Sequence, residues 1–235
     1  MTVRVADATP STRARAAEAR VLGFAVTLSA FVAALLFAGL DVFVGVPEGK
    51  GRTVSAYVYS DAAWAFHTAV WLLVAATLTL VVALVRTGLR PVRSASVALF
   101  AVAAAGLVLL AVFPKTDWTV GDSPSGRLHR LGALVAFVVP PIATLRLTRG
   151  AAQWPARLAR LVASLVVLML LATVALVVAF VADGGSGWYR AFPLGTVERV
   201  VVGSLLVALG LLGRWVALTP QGSPGRTPAP RAPGG

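Results

Sequence analysis

The stretch DAAWAFHTAVWLLVAATLTLVVALVRTGLRPVR, residues 61–93, decides the fold. It opens on an acid, runs from 62 to 85 without a formal charge, and closes on Arg86, Arg90 and Arg93. A helix rises about 1.5 Å per residue, so a run of this length crosses the roughly 30 Å hydrocarbon layer of a bilayer. An acid at one end and arginines at the other give the span a direction.

The pattern recurs along the chain. Apolar runs at 21–43, 62–85, 94–113, 128–147, 161–182 and 196–217 predict six transmembrane helices joined by five connections. Fourteen of the 21 basic residues fall in the two tails and in the second and fourth connections, with only Asp7 and Glu18 against them. The first, third and fifth connections carry seven basic residues and seven acids, so the whole net charge of +12 lies on one side. Lysine and arginine concentrate in cytoplasmic loops, which places both termini in the cytoplasm of a cell-membrane protein. An even number of spans agrees, since the tails must then share a side.

Composition supports the same class: 58% hydrophobic residues against 13% charged is too apolar for a soluble domain. A pI near 11.7 suggests nucleic acid, but the arginines border span ends, where they meet anionic inner-leaflet headgroups, and no soluble basic module exists to dock a groove. Absence of cysteine excludes disulfides, thiolate chemistry and cysteine metal sites. Nineteen arginines against two lysines fit a bacterial genome rich in G and C. The domain reading is a mostly disordered cytoplasmic head (1–19), a six-helix all-α transmembrane domain (20–218), and a disordered tail rich in Pro and Gly (219–235).

No titratable residue lies near the middle of any span, which counts against ion-coupled transport. The polar groups gather at the outward ends instead. Asp41 closes the first span, Asp61 and His67 open the second, and Asp183 ends the fifth; His129 and Arg130 open the fourth, and Glu198 and Arg199 the sixth. His67, between Trp64 and Trp71 at helical spacing, is either part of an aromatic belt or a site residue.

The third connection, FPKTDWTVGDSPSGRLHRLG (113–132), is the most distinctive segment. Pro114 ends a helix, and Ser123 or Ser125 caps the next. Its Pro-Ser-Gly and His129 resemble part of a lipid-phosphatase signature, but the required later histidine is missing from the chain. Together, Ser55-Ala56-Tyr57 in the first connection, Phe113-Pro114 with Asp117, and Gly126-Arg127-Leu128-His129 resemble the bacterial and archaeal membrane family called domain of unknown function 998. The resemblance covers about 22–215. It implies a six-helix membrane fold without an established activity, and marks the outer Ser/Tyr, Phe-Pro…Asp and Gly…His positions as a shared face.

Three readings of function follow. The first is a non-transporting membrane protein with a polar outward vestibule, binding lipid, a second copy or another membrane protein, its helices packed through Ala101, Ala105, Gly106, Gly203, Gly210 and Gly213. The second is a hydrolase at the outer surface, with His67, His129 and Asp117 holding a divalent metal and Asp61 beside them. It requires the two histidines to converge to about 5 Å. The third is a haem b held between His67 and His129. The candidate cluster common to them is Asp41, Ser55, Tyr57, Asp61, His67, Asp117, His129, Arg130, Asp183 and Glu198. Pro140 and Pro141 inside the fourth span predict a local bend packed by neighbours.

Overall fold

The computed structural model describes residues 10–44, 53–116, 121–186 and 192–219, with backbone alone at 10 and 11. Six helices long and apolar enough to cross a membrane account for nearly all of them: α1 (Pro10–Gly39), α2 (Ala63–Arg86), α3 (Ala95–Val112), α4 (Pro124–Leu147), α5 (Trp154–Ala182) and α6 (Leu194–Leu218). A π-helical turn, Leu40–Val44, extends α1, and a 3₁₀ segment, Val54–Tyr59, precedes α2. No strand occurs among the described residues.

The helices outrun their apolar stretches where the flanking residues are good helix formers. α1 begins at Pro10, inside the head expected to be mostly disordered, because Arg13 to Arg20 is an Ala/Arg/Glu run of high helix propensity. Glu18 in this extension pairs with Arg86 at 2.7 Å, and Ala19 is buried. α4 starts at Pro124 because Ser123 accepts a hydrogen bond from the Gly126 N–H at 3.0 Å, and proline suits the first helical turn. The tail expected to be disordered lies, apart from Thr219, outside the described residues.

Each helix packs on the next in sequence and α6 closes the ring on α1, with α2 and α4 also touching α6. Close approach depends on small residues at particular places. A Cβ on Gly23 would stand 2.4 Å from the Gly213 carbonyl oxygen, and Thr27 donates to the Gly210 carbonyl at 3.2 Å, so α1 and α6 meet almost backbone to backbone. Gly106 and Gly132 do the same for α3 and α4. The remaining small residues behave otherwise than expected. Ala101 and Ala105 are exposed on α3, and a Cβ at Gly203 or Gly210 would meet nothing within 4 Å. α4 continues through Pro140 and Pro141, with Ala163 of α5 and Ser204 of α6 among the residues packed around them.

At the arginine-rich end, several guanidinium groups fasten connections to helix ends. Arg90 donates to the Leu147 carbonyl at 2.8 Å and Arg160 to that of Ala151 at 3.0 Å. The Leu147 carbonyl ends α4 and has no partner within the helix, so the Arg90 bond satisfies a group that otherwise needs water. Arg214 lies over the Trp154 ring, 5.2 Å from its centroid.

Candidate functional site

The polar groups at the acid-rich end form three clusters, the first two held by the 3₁₀ segment. The first joins α1, the 3₁₀ segment and α6. Arg199 grips Asp41 with Nε at 3.0 and 3.1 Å from the two carboxylate oxygens and Nη2 at 2.9 Å from Oδ1, a fork geometry that only arginine offers. Tyr57 donates to the same carboxylate at 2.5 Å and is 1% exposed. Burial, and then the hydrogen bond to Asp41, push the Tyr57 phenol above its ordinary range, against the opposing pull of Arg199. Asp41 stands in the π turn at the end of α1, the irregularity that turns it toward α6.

The second cluster centres on Glu198 and Lys115. Glu198 accepts from the Ser55 backbone N–H at 3.4 Å, and Lys115 donates to the Thr53 hydroxyl. Burial lowers the Lys115 ammonium below the ordinary lysine range, and the Glu198 charge partly restores it. Tyr59 donates to the Lys115 carbonyl at 2.8 Å. The Ser55-Ala56-Tyr57 motif therefore has a structural meaning: Ser55 engages α6 through Glu198, Ala56 is fully buried, and Tyr57 reaches α1 through Asp41.

The third cluster lies in the connection between α3 and α4. Asp122 accepts from Arg130 at 2.7 Å and pairs with Arg127 at 3.1 Å. The Arg130 hydrogen bond holds its carboxyl below the usual range. Arg130 also donates to Thr116 at 3.0 Å, and the Thr116 hydroxyl lies within 1.6 Å of where a Cβ of Gly126 would be. Position 126 is glycine because a side chain there would displace Thr116.

The candidate residues thus separate. Asp41, Ser55, Tyr57, Glu198 and Arg130 belong to these clusters. Asp61 and Asp183 are exposed and make no side-chain bond among the described residues. The buried residues of α5 all lie in its first half, from Pro155 to Val166, so the end that carries Asp183 stands away from the polar layer. Asp117 lies outside the described residues.

The histidines face different surroundings. His67 shares the exposed stripe of Trp64 (66% exposed) and Trp71 (47%), its ring 5.6 Å from that of Phe66. His129 is only 5% exposed. It sits in the first turns of α4, and its Nδ1 lies 2.8 Å from the carbonyl of Phe113, the residue that ends α3. No three His, Asp or Glu gather as a ligand set among the described residues, and the space beside His129, about 30 Å³, is far too small for a porphyrin. His67 with His129 therefore does not fit haem, and as metal ligands these two lack a third among the described residues.

Lys115, Asp122, Thr53 and Thr116 are site residues that the sequence did not single out. Lys115 carried one signal, being one of only two lysines in the chain. Its partners come from distant segments and left no local trace.

A large groove lies beside these clusters. Between α1 and α6 a groove of about 480 Å³ runs from Thr27 and Gly210 to Asp41 and Arg199. Ala30, Ala34, Phe37 and Val202 line it, while exposed Phe31 and Val207 form its edges.

A bundle of six spanning helices, capped at one end by polar clusters and opened on one flank by an apolar groove, is an integral membrane protein. The chain belongs to the family described as Protein of unknown function (DUF998), whose model matches residues 32–215. No curated protein and no solved structure matches it.

Proposed function

We propose that this protein binds membrane phospholipid, taking one acyl chain into the groove between α1 and α6. The headgroup then lies over the Asp41–Arg199 pair. The groove is the observation that carries the reading. It opens sideways within the spanning region, where the available apolar ligand is lipid, and its lining is almost wholly hydrocarbon. Thr27 to Asp41 is fourteen residues, about 20 Å of helix, enough for a chain that fills one leaflet of roughly 15 Å. The charged pair sits at one end only, as an amphiphile requires. The excess of arginine at the other end orients that pair outward, so the lipid belongs to the outer leaflet, while the arginines meet anionic inner-leaflet headgroups. The groove ends on a self-satisfied ion pair, with no mid-membrane titratable group to couple transport.

Gly203→Phe tests this, because a Cβ there points into open groove and the ring would occupy the acyl site. Native mass spectrometry of protein extracted in mild detergent should show wild type carrying one phospholipid. Gly203→Phe should lose most of it, at least fivefold, with an unchanged melting temperature. Equal lipid retention by the two proteins refutes the reading.

A further inference from the structure

A second, smaller cavity lies behind the wall of the groove, and its chemistry is independent of the lipid reading. Phe37, Val54 and Val202 line both spaces, and His129, Glu198 and Ser55 are the polar residues of the inner one. The hydrogen bond of His129 fixes which of its ring nitrogens is left in need of a partner. Nδ1 lies against the Phe113 carbonyl, and a carbonyl only accepts, so Nδ1 carries the proton. In the neutral ring Nε2 is then a bare acceptor. That atom is fully buried and has no hydrogen-bond partner among the described residues. The carbonyl of Leu110 also faces the ring, but it too can only accept.

Of the other polar residues of the cavity, Ser55 donates its hydroxyl to Thr53 at 3.4 Å, and the Glu198 carboxylate is again an acceptor. It takes N–H groups from Ser55 and Val54, which leaves lone pairs on its oxygens unused. Two acceptors thus border one small space, and what satisfies both is a donor with two hydrogens. Charge distinguishes between donors. Lys115 already offsets Glu198, so a metal ion or a second ammonium would add uncompensated charge in a buried place. Size agrees, since about 30 Å³ suits a single water.

We propose that this cavity is a hydration site, in which one water donates one O–H to His129 Nε2 and the other to the Glu198 carboxylate. The water ties α4 to α6 beneath the 3₁₀ segment. Through Phe113 and Ser55 the same link reaches the end of α3 and the first connection. It makes His129 a positioning residue for Glu198, not a metal ligand.

Wild-type protein in lipid nanodiscs supplies the test. A structure at a resolution that shows ordered solvent should contain one peak within about 2.6–3.2 Å of both His129 Nε2 and a Glu198 oxygen. Nitrogen NMR of histidine-labelled protein should show His129 protonated at Nδ1, with Nε2 shifted as a hydrogen-bond acceptor. Only two histidines contribute, and His67→Gln identifies the other. A dry cavity, a metal peak after soaking with Zn²⁺, a direct bond between His129 and Glu198, or a proton on Nε2 in place of Nδ1 would each overturn the assignment.

Discussion

At the scale of single residues, the acid-rich end is governed by what each buried polar atom is bonded to. Tyr57 shows how this becomes a property of the whole protein. Its phenol is neutral in the fold because burial and the bond to Asp41 favour the protonated form. The folded chain therefore holds this proton more tightly than the unfolded chain, whose tyrosine titrates near 10. The stabilisation by the Tyr57–Asp41 bond is fully present below about pH 10 and is lost as pH rises through the higher value in the fold. The stability difference between wild type and Tyr57→Phe should be constant from pH 7 to about 9.5 and shrink above pH 10. The shrinkage can reach about 1.4 kcal/mol per pH unit, the linkage for one proton. Denaturant titration at several pH values measures it, and a difference that holds constant to pH 11 would refute the assignment. The sequence made Tyr57 and Asp41 legible as members of an outer layer, but not as partners, because sixteen residues and an irregular turn separate them. It inverted the histidines: Trp64 and Trp71 drew attention to His67, while His129 is the buried one, and its acceptor, the Phe113 carbonyl, belongs to another helix.

At the scale of helices, glycine has two opposite uses on α1 and α6. Gly23 and Gly213 let the backbones touch, whereas Gly203 faces the open groove, where a Cβ would meet nothing within 4 Å. Sequence cannot separate these uses, since both are small residues on apolar helices; only the facing residue distinguishes them. The same substitution should therefore give opposite results. Gly23→Ala places a methyl group 2.4 Å from a carbonyl oxygen, and should destabilise the fold by about 1–3 kcal/mol, as overpacking does. Gly203→Ala meets open space and should stabilise it by about 0.5–1 kcal/mol through helix propensity. Thermal denaturation of the two variants in one detergent makes the comparison, and a similar loss in both would mean the groove closes in the membrane. Helix existence was far more legible than helix packing. Every apolar run corresponds to an observed helix, and the largest extensions are at N-termini, where Ala/Arg/Glu runs or serine caps continue beyond the hydrocarbon-length stretch.

At the scale of the whole molecule, orientation follows from charge and can be measured directly. In the sequence, fourteen basic residues and two acids fall in the tails and the second and fourth connections, while the first, third and fifth connections carry seven of each. Structural bonds compromise that signal less than they first suggest. Among the described residues Arg90 and Arg160 bond to carbonyls, not to carboxylates, and of the arginines at that end Arg86 has a carboxylate partner. At the acid-rich end, by contrast, Arg127, Arg130 and Arg199 are all engaged by carboxylates. The effective asymmetry thus exceeds the formal count, and the arginine-rich end should face the cytoplasm. Because the chain contains no cysteine, single cysteines can be introduced without removing any. Ser186 and Asp61 are exposed at the acid-rich end, and Val92 and Ala152 at the arginine-rich end. A membrane-impermeant maleimide applied to intact expressing cells should label Ser186→Cys and Asp61→Cys. Val92→Cys and Ala152→Cys should react only after permeabilisation. The reverse pattern would invert the protein and move the Asp41–Arg199 end of the groove to the inner leaflet. Under the lipid-binding proposal the occupant would then come from the anionic cytoplasmic leaflet, so labelling decides which leaflet that proposal must draw on.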